Sequence, residues 1–247
     1  MKLSKRNWFR LIWLVLVTSF TLWNWLSYQT RDLPAGTLTS DAKTQIIQTE
    51  HLISFLPVLK KKTVFLFYPG ALVEPTAYAP LAKSLANQGY ESHIVRMPWR
   101  MATRGYLQIK TLFNLTDTSL NYVLAGHSQG GKMAAQFVYE NKELMAGLVL
   151  LGTSHPRDID LLSATIPIVK LYASNDGLAS PPEVFENKSK LPAQAKFIEI
   201  KGGNHAQFGY YGSQLGDNEA FISRTEQQAI VNQTILTFLN AISENRK

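Results

Sequence analysis

The chain has 247 residues, 45% of them hydrophobic, which is material for one domain of roughly 200 residues plus an appendage. It contains no cysteine, so disulfides, thiolate nucleophiles and cysteine-ligated zinc are excluded. The net charge of +7 suggests nucleic acid until it is located: Lys2, Lys5, Arg6 and Arg10 supply four of those charges, and the remainder, with 21 basic and 18 acidic residues, is an ordinary solvated surface.

Residues 11–28 form an uncharged run that includes Trp13, Trp23 and Trp25. A membrane-crossing helix needs about 20 mostly apolar residues, and tryptophans near its outer end suit the membrane interface. Four basic residues precede the run, whereas Arg31 is followed at once by Asp32. The positive-inside rule then puts the N-terminus in the cytoplasm and the rest of the chain outside. A cleaved signal peptide is the rival reading. Its apolar region should be about 7–15 residues and end in a small-x-small site; this run is longer and ends Trp-Leu-Ser-Tyr-Gln-Thr. The expectation is an uncleaved single-pass anchor over residues 1–30, a linker over 31–40 containing Pro34 and Gly36, and a catalytic domain over 41–247, with secretion after cleavage as the alternative.

Within that domain, residues 43–48 and 51–56 read as two short edge strands, and 63–68 as a nearly continuous apolar strand. A helix over 75–88 ends at Gly89 as its C-terminal stop. Then come a strand over 92–96, a helical stretch over 103–117, a strand over 120–125 and a helix over 129–141 with Met133, Phe137 and Val138 on one face. Residues 147–151 and 166–173 read as strands, 182–190 as a helix, 195–200 as a strand and 224–242 as the last helix. Strands alternating with helices imply an α/β fold, a mostly parallel sheet with helices on both faces.

Residues 126–130 read Gly-His-Ser-Gln-Gly, the Gly-x-Ser-x-Gly pattern of a nucleophile elbow. A strand before it and a helix after it are the context that pattern requires. Gly126 and Gly130 are expected on steric grounds, because side chains there would collide with the neighbouring strand and helix. With Ser128 as nucleophile, the order in this topology is serine, acid, histidine. Asp176 follows the 166–173 strand in Ser-Asn-Asp-Gly, and His205 follows the 195–200 strand in Gly-Gly-Asn-His. His205 would take the Ser128 proton and return it to the leaving group, while Asp176 would fix the imidazole tautomer. Asp158, Asp160 and Asp217 are rival acids in poorer positions. His51 and His93 fall in predicted strands, His127 belongs to the elbow but points away from the nucleophile, and His155 is a candidate pocket residue. The two oxyanion donors would be the backbone N–H groups of Gln129 and of Ala71 in the loop Tyr-Pro-Gly-Ala-Leu, with Leu72 as the alternative and Gly70 allowing a tight turn.

With these residues placed, the chain resembles the α/β-hydrolase superfamily. More narrowly it is similar to a little-characterised bacterial α/β-hydrolase family through Tyr-Pro-Gly-Ala-Leu-Val-Glu-Pro-Thr-Ala-Tyr at 68–78, Val-Arg-Met-Pro at 95–98, Gly-His-Ser-Gln-Gly-Gly at 126–131, Ser-Asn-Asp-Gly-Leu-Ala at 174–179 and Gly-Gly-Asn-His-Ala-Gln-Phe-Gly-Tyr-Tyr-Gly at 202–212. The resemblance spans roughly residues 43–243 and implies the fold and the serine–acid–histidine assignment. Only about 14 residues separate Leu151 from Ile166, where many esterases of this topology insert a lid. No lid domain fits there, and an open site would suit short acyl chains.

The expected activity is therefore a membrane-anchored serine hydrolase acting on small ester-like substrates, with neither metal nor cofactor and no nucleic-acid partner. Acyl transfer, thioester or amide cleavage would use the same residues, and a silent binding domain is the non-enzyme alternative. Arg96, Arg100 and Arg104 could hold an anionic group or form a solvated face. Gln207, Tyr210, Tyr211 and Asp217 could order the histidine, touch substrate or simply pack as a surface loop.

Overall fold

The structure, a computed structural model, describes residues 4–245. Eight strands form one sheet: β1 (Thr44–Gln48), β2 (Leu52–Pro57), β3 (Thr63–Tyr68), β4 (Glu91–Val95), β5 (Asn121–His127), β6 (Gly147–Leu151), β7 (Ile168–Ala173) and β8 (Lys196–Ile200). Their spatial order is β1-β2-β4-β3-β5-β6-β7-β8. β1 and β2 pair antiparallel, β2 runs antiparallel to β4, and every later pairing is parallel.

Among the described residues six α-helices accompany the sheet: α1 (Lys5–Ser27), α2 (Ala79–Asn87), α3 (Ile109–Leu112), α4 (Gln129–Glu140), α5 (Pro181–Glu186) and α6 (Arg224–Asn245). The period-two alternation of the strands divides the core in two. Phe65 and Phe67 of β3, Val123 of β5 and Val149 of β6 face Leu81 and Leu85 of α2 and Val231, Ile235 and Leu239 of α6. Val64, Leu66 and Tyr68, together with Leu124 and Leu148, face Met133, Phe137 and Val138 of α4. Both faces are thus covered, which is why all six residues of β3 are buried and why its sequence does not alternate.

The parallel strands finish at a common edge. Tyr68 sits opposite Gly126, His127 opposite Leu151, and Ala173 opposite Ile200. The loops leaving that edge are the ones that carry the candidate residues, as expected for an open α/β sheet.

One expectation needs correction. The stretch 103–117 is not one helix. It holds a 3-10 turn (Ala102–Arg104), the single turn α3 and then bends through Asn114–Ser119, where short polar side chains favour turns. Residues 31–40, the expected linker, bond to the rest of the chain. Thr37 is buried, Arg31 N–H donates to Tyr210 O at 2.8 Å, and Lys83 Nζ donates to Gly36 O and Thr39 O at 2.6 and 2.9 Å while pairing with Asp41 at 2.8 Å. One cation thus gathers two carbonyl oxygens of that stretch and the carboxylate of Asp41 just after it. Residues 152–167 contain no helix, so no lid domain interrupts the sheet. α1, by contrast, has its apolar side chains exposed and only Ser27 buried.

Candidate active site

Ser128 occupies the junction of β5 and α4 with φ 53° and ψ −120°. A non-glycine residue in that region is strained and persists only where its surroundings enforce it. Here the enforcement is steric. A Cβ on Gly130 would overlap the Tyr68 carbonyl, and one on Gly126 would overlap the Gly130 backbone, so β5, α4 and the end of β3 meet at van der Waals distance. The Ser128 N–H donates to Leu151 O at 2.9 Å, fixing the turn to β6.

The loops after β7 and β8 bring Asp176 and His205 together. His205 Nδ1 donates to the Asp176 carboxylate at 2.9 and 3.1 Å, and the two side chains are 1% and 0% exposed. Oδ1 of Asp176 also accepts the N–H groups of Leu178 and Ala179 at 2.9 and 2.7 Å. This leaves His205 Nε2 buried and, among the described residues, without a partner. The other acids lie elsewhere. Asp158 is exposed beside Lys132 at 3.7 Å, and Asp160 is exposed and accepts from Leu162 N–H.

Asp217 has a different task from the one its rivalry for the acid role implied. Its carboxylate accepts the N–H groups of Gly177 (3.2 Å), His205 (3.2 Å) and Ala206 (2.8 Å), tying the acid loop to the histidine loop. Gln227 of α6 adds a two-way bond: its Oε1 accepts from Asn204 N–H at 3.0 Å and its Nε2 donates to Asn204 O at 2.8 Å. Of the other residues in this loop, Tyr211 is fully buried and Gln207 Nε2 donates to Ile222 O at 3.2 Å, so the loop orders the histidine through Asp217.

The loop after β3 carries Ala71 and Leu72, the two residues named as candidate oxyanion donors. Leu72 N–H donates to Arg100 O at 2.8 Å and is therefore engaged. Among the described residues, no bond engages the N–H of Ala71 or of Gln129. Gly70 does not adopt a left-handed φ. Its lack of a side chain serves close approach instead: a Cβ there would lie 2.9 Å from His127 Nδ1 and 3.1 Å from Tyr78 Oη.

His127 plays a part that its place in the elbow motif does not reveal. It is fully buried, bonds through Nδ1 to Tyr78 Oη at 2.8 Å, and packs its ring 4.5 Å from that of His205. Tyr78 Oη in turn accepts from Gly70 N–H at 3.1 Å. Burial, followed by the neighbouring His205, pushes the His127 pKa well below its ordinary value, so the ring stays neutral. His155 is held at about 4 by burial and by the charges of Lys132 and Arg157. The three arginines do not converge. Arg96 donates to Gln48 Oε1, Arg104 is exposed, and Arg100 lies over the Trp25 ring at 4.4 Å. The i,i+4 spacing of Arg100 and Arg104 has no helix to act on, because Trp99 and Arg100 adopt left-handed φ values of 56° and 54°. Among the described residues, no group of three or more His, Cys, Asp or Glu could hold a metal ion.

The model of the alpha/beta hydrolase family matches residues 64–229. The chain belongs to that family. As expected of a family hydrolase, its fold recurs in solved structures at low sequence identity. TT1662 from Thermus thermophilus aligns with a TM-score of 0.59 at 13% identity, covering 82% of this chain and 99% of its own. Est1E from Butyrivibrio proteoclasticus gives 0.54 at 11%, covering 81% and 99%. The carboxylesterase CesB (YbfK) from Bacillus subtilis gives 0.54 at 13%, covering 83% and 93%. No curated protein matches the sequence. A carboxylesterase is thus among the structural neighbours of this family hydrolase, and at these identities the likeness is one of fold.

Proposed function

We propose that this hydrolase is a membrane-anchored serine esterase that cleaves carboxylic esters through an acyl-enzyme on Ser128. The observation that carries the reading is the buried His205–Asp176 pair, assembled from two separate loops and packed against the ring of the elbow residue His127. A histidine oriented by a carboxylate, with Nε2 unpartnered among the described residues, is suited to take a hydroxyl proton.

In this mechanism Ser128 Oγ attacks the ester carbonyl and passes its proton to His205 Nε2. Asp176 stabilises the resulting imidazolium. The carbonyl oxygen, now anionic, accepts from the N–H groups of Ala71 and Gln129, each such donor worth typically about 2.7–4 kcal/mol in the transition state. Collapse expels the alcohol, protonated by His205, and leaves an acyl ester on Ser128. A water then attacks that ester with His205 again as base. Lys5, Arg6 and Arg10 at the start of α1 support a cytoplasmic N-terminus by the positive-inside rule, with Ser128 then on the outer side. The exposed 23-residue helix supports the anchor by its length and composition.

Stopped-flow hydrolysis of p-nitrophenyl esters tests the chemistry. A burst of one p-nitrophenol per chain, absent in Ser128→Ala, is expected. Equal turnover by the two proteins would remove Ser128 from the mechanism.

A further inference from the structure

The outer end of α1 is built into the site loops rather than joined to them by a spacer. Gly212 N–H donates to Ser27 O at 2.8 Å and Ser27 Oγ donates to Ser213 O at 2.6 Å, while Tyr28 stacks on Tyr211 at 6.3 Å; all three partners lie in the loop that follows His205. The next residues join the loop that follows Ala71. Glu74 N–H donates to Tyr28 O at 2.9 Å, and Thr30 N–H donates to the Glu74 carboxylate at 3.0 Å. Arg100 bridges the two parts, covering the Trp25 ring and donating to Leu72 O and Gln29 Oε1 at 3.4 Å each. With α1 across a bilayer, both loops must therefore lie at the level of the lipid headgroups.

An open groove of about 260 Å³ runs between the outer part of α1 and the oxyanion loop, lined by Phe20, Thr21, Asn24, Trp25, Tyr28 and Leu72. The Thr21 hydroxyl is satisfied inside the helix by Val17 O and Thr18 O. One end of the groove lies on the apolar helix; the other is Leu72, the residue after Ala71, held at φ 63° and 41% exposed. Trp99, which precedes Arg100 in sequence and is 83% exposed, is an aromatic residue of the kind that settles at membrane interfaces.

We propose that the substrate is an acyl ester drawn from the bilayer, with its hydrocarbon chain lying in this groove and its carbonyl reaching Ser128. The inference rests on Ser128 as nucleophile and α1 as a membrane span. It reverses the expectation that a site without a lid favours short chains: the anchor helix supplies the apolar wall that a lid would otherwise provide. A chain moving from bilayer to groove never crosses water, so longer chains are not penalised for their hydrophobicity.

Full-length protein in phosphatidylcholine vesicles, supplied with p-nitrophenyl dodecanoate or acetate, tests the groove. The wild type is expected to favour dodecanoate at least tenfold in kcat/KM, and Asn24→Trp, which fills the groove, to lower that ratio at least tenfold. As a readout that does not depend on that variant folding, full-length Ser128→Ala is irradiated with a diazirine-bearing dodecanoyl ester, and adducts are expected within residues 20–28 or on Leu72. Acetate cleavage without chain-length preference, or adducts elsewhere, overturns the groove and leaves the nucleophile standing. Failure of the wild type to cleave either ester overturns both.

Discussion

The elbow around Ser128 and the assembly around His205 are held by opposite kinds of force. The elbow is fixed by repulsion: Gly126, Gly130 and Tyr68 approach so closely that only one backbone path remains. The His205 assembly is fixed by attraction, through Asp176, Asp217, Gln227 and the ring of His127, which come from four separate stretches of chain. Packing constraints of the first kind fail abruptly when one methyl group is added. Hydrogen-bonded assemblies of the second kind lose function by degrees, because each bond is a modest fraction of the whole.

The largest expected effect comes from breaking the steric half. Gly130→Ala forces a Cβ into the Tyr68 carbonyl and should destabilise the fold by about 3 kcal/mol or more. Thermal melting and soluble yield report it; a variant that melts normally and keeps full activity would dissolve the contrast. Next, Asp176→Asn should lower kcat about 10⁴-fold by offering the imidazole the wrong tautomer. The accompanying change in melting temperature should be small. A matched loss of stability would instead make Asp176 a structural group.

Asp217 sharpens the comparison, since it acts on backbone rather than on the imidazole. Asp217→Ala should cost about 2 kcal/mol of stability and lower kcat by about 10- to 100-fold, and Asp217→Asn should recover part of both. Equal effects of the alanine and asparagine variants would show that the charge, not the shared acceptor, ties the loops. The smallest effect is one of pH. His127 is held neutral by burial and His155 protonates only near 4, whereas in the unfolded chain both protonate near 6.5. The unfolded state therefore binds more protons between those values, and stability should fall as pH drops from about 6.5 to about 4. Chemical denaturation across that range should show a shallower slope for His127→Gln. An unchanged slope would mean that His127 is charged in the fold.

The same division of forces explains what the sequence disclosed. Gly-His-Ser-Gln-Gly between an apolar run and an amphipathic helix is a local steric signature, and the strands Thr63–Tyr68 and Gly147–Leu151 were legible residue for residue because burial on both faces leaves uninterrupted apolar runs. That Asp176 and His205 would meet was legible from their places after β7 and β8. Asp217 as a clamp, Gln227 as a strut and His127 as packing for His205 were not, because each acts across a long sequence separation through backbone groups that no side-chain pattern records. The stretch 103–117 misled because apolar residues near Ile109 mimic a helical face that Gly105 and the polar run after Phe113 cut short. The seating of α1 on the site loops depends on Ser27 and Tyr28, whose partners lie 46 to 186 residues away.

The central claim is that Ser128 is a nucleophile served by His205. Peptide mapping by mass spectrometry after treatment with a fluorophosphonate tests it most directly. The account predicts one adduct, on the peptide containing Ser128, at wild-type rate in Asp217→Asn within about tenfold and abolished in His205→Ala. An adduct on another residue, or labelling of Ser128 that is indifferent to loss of His205, would contradict it.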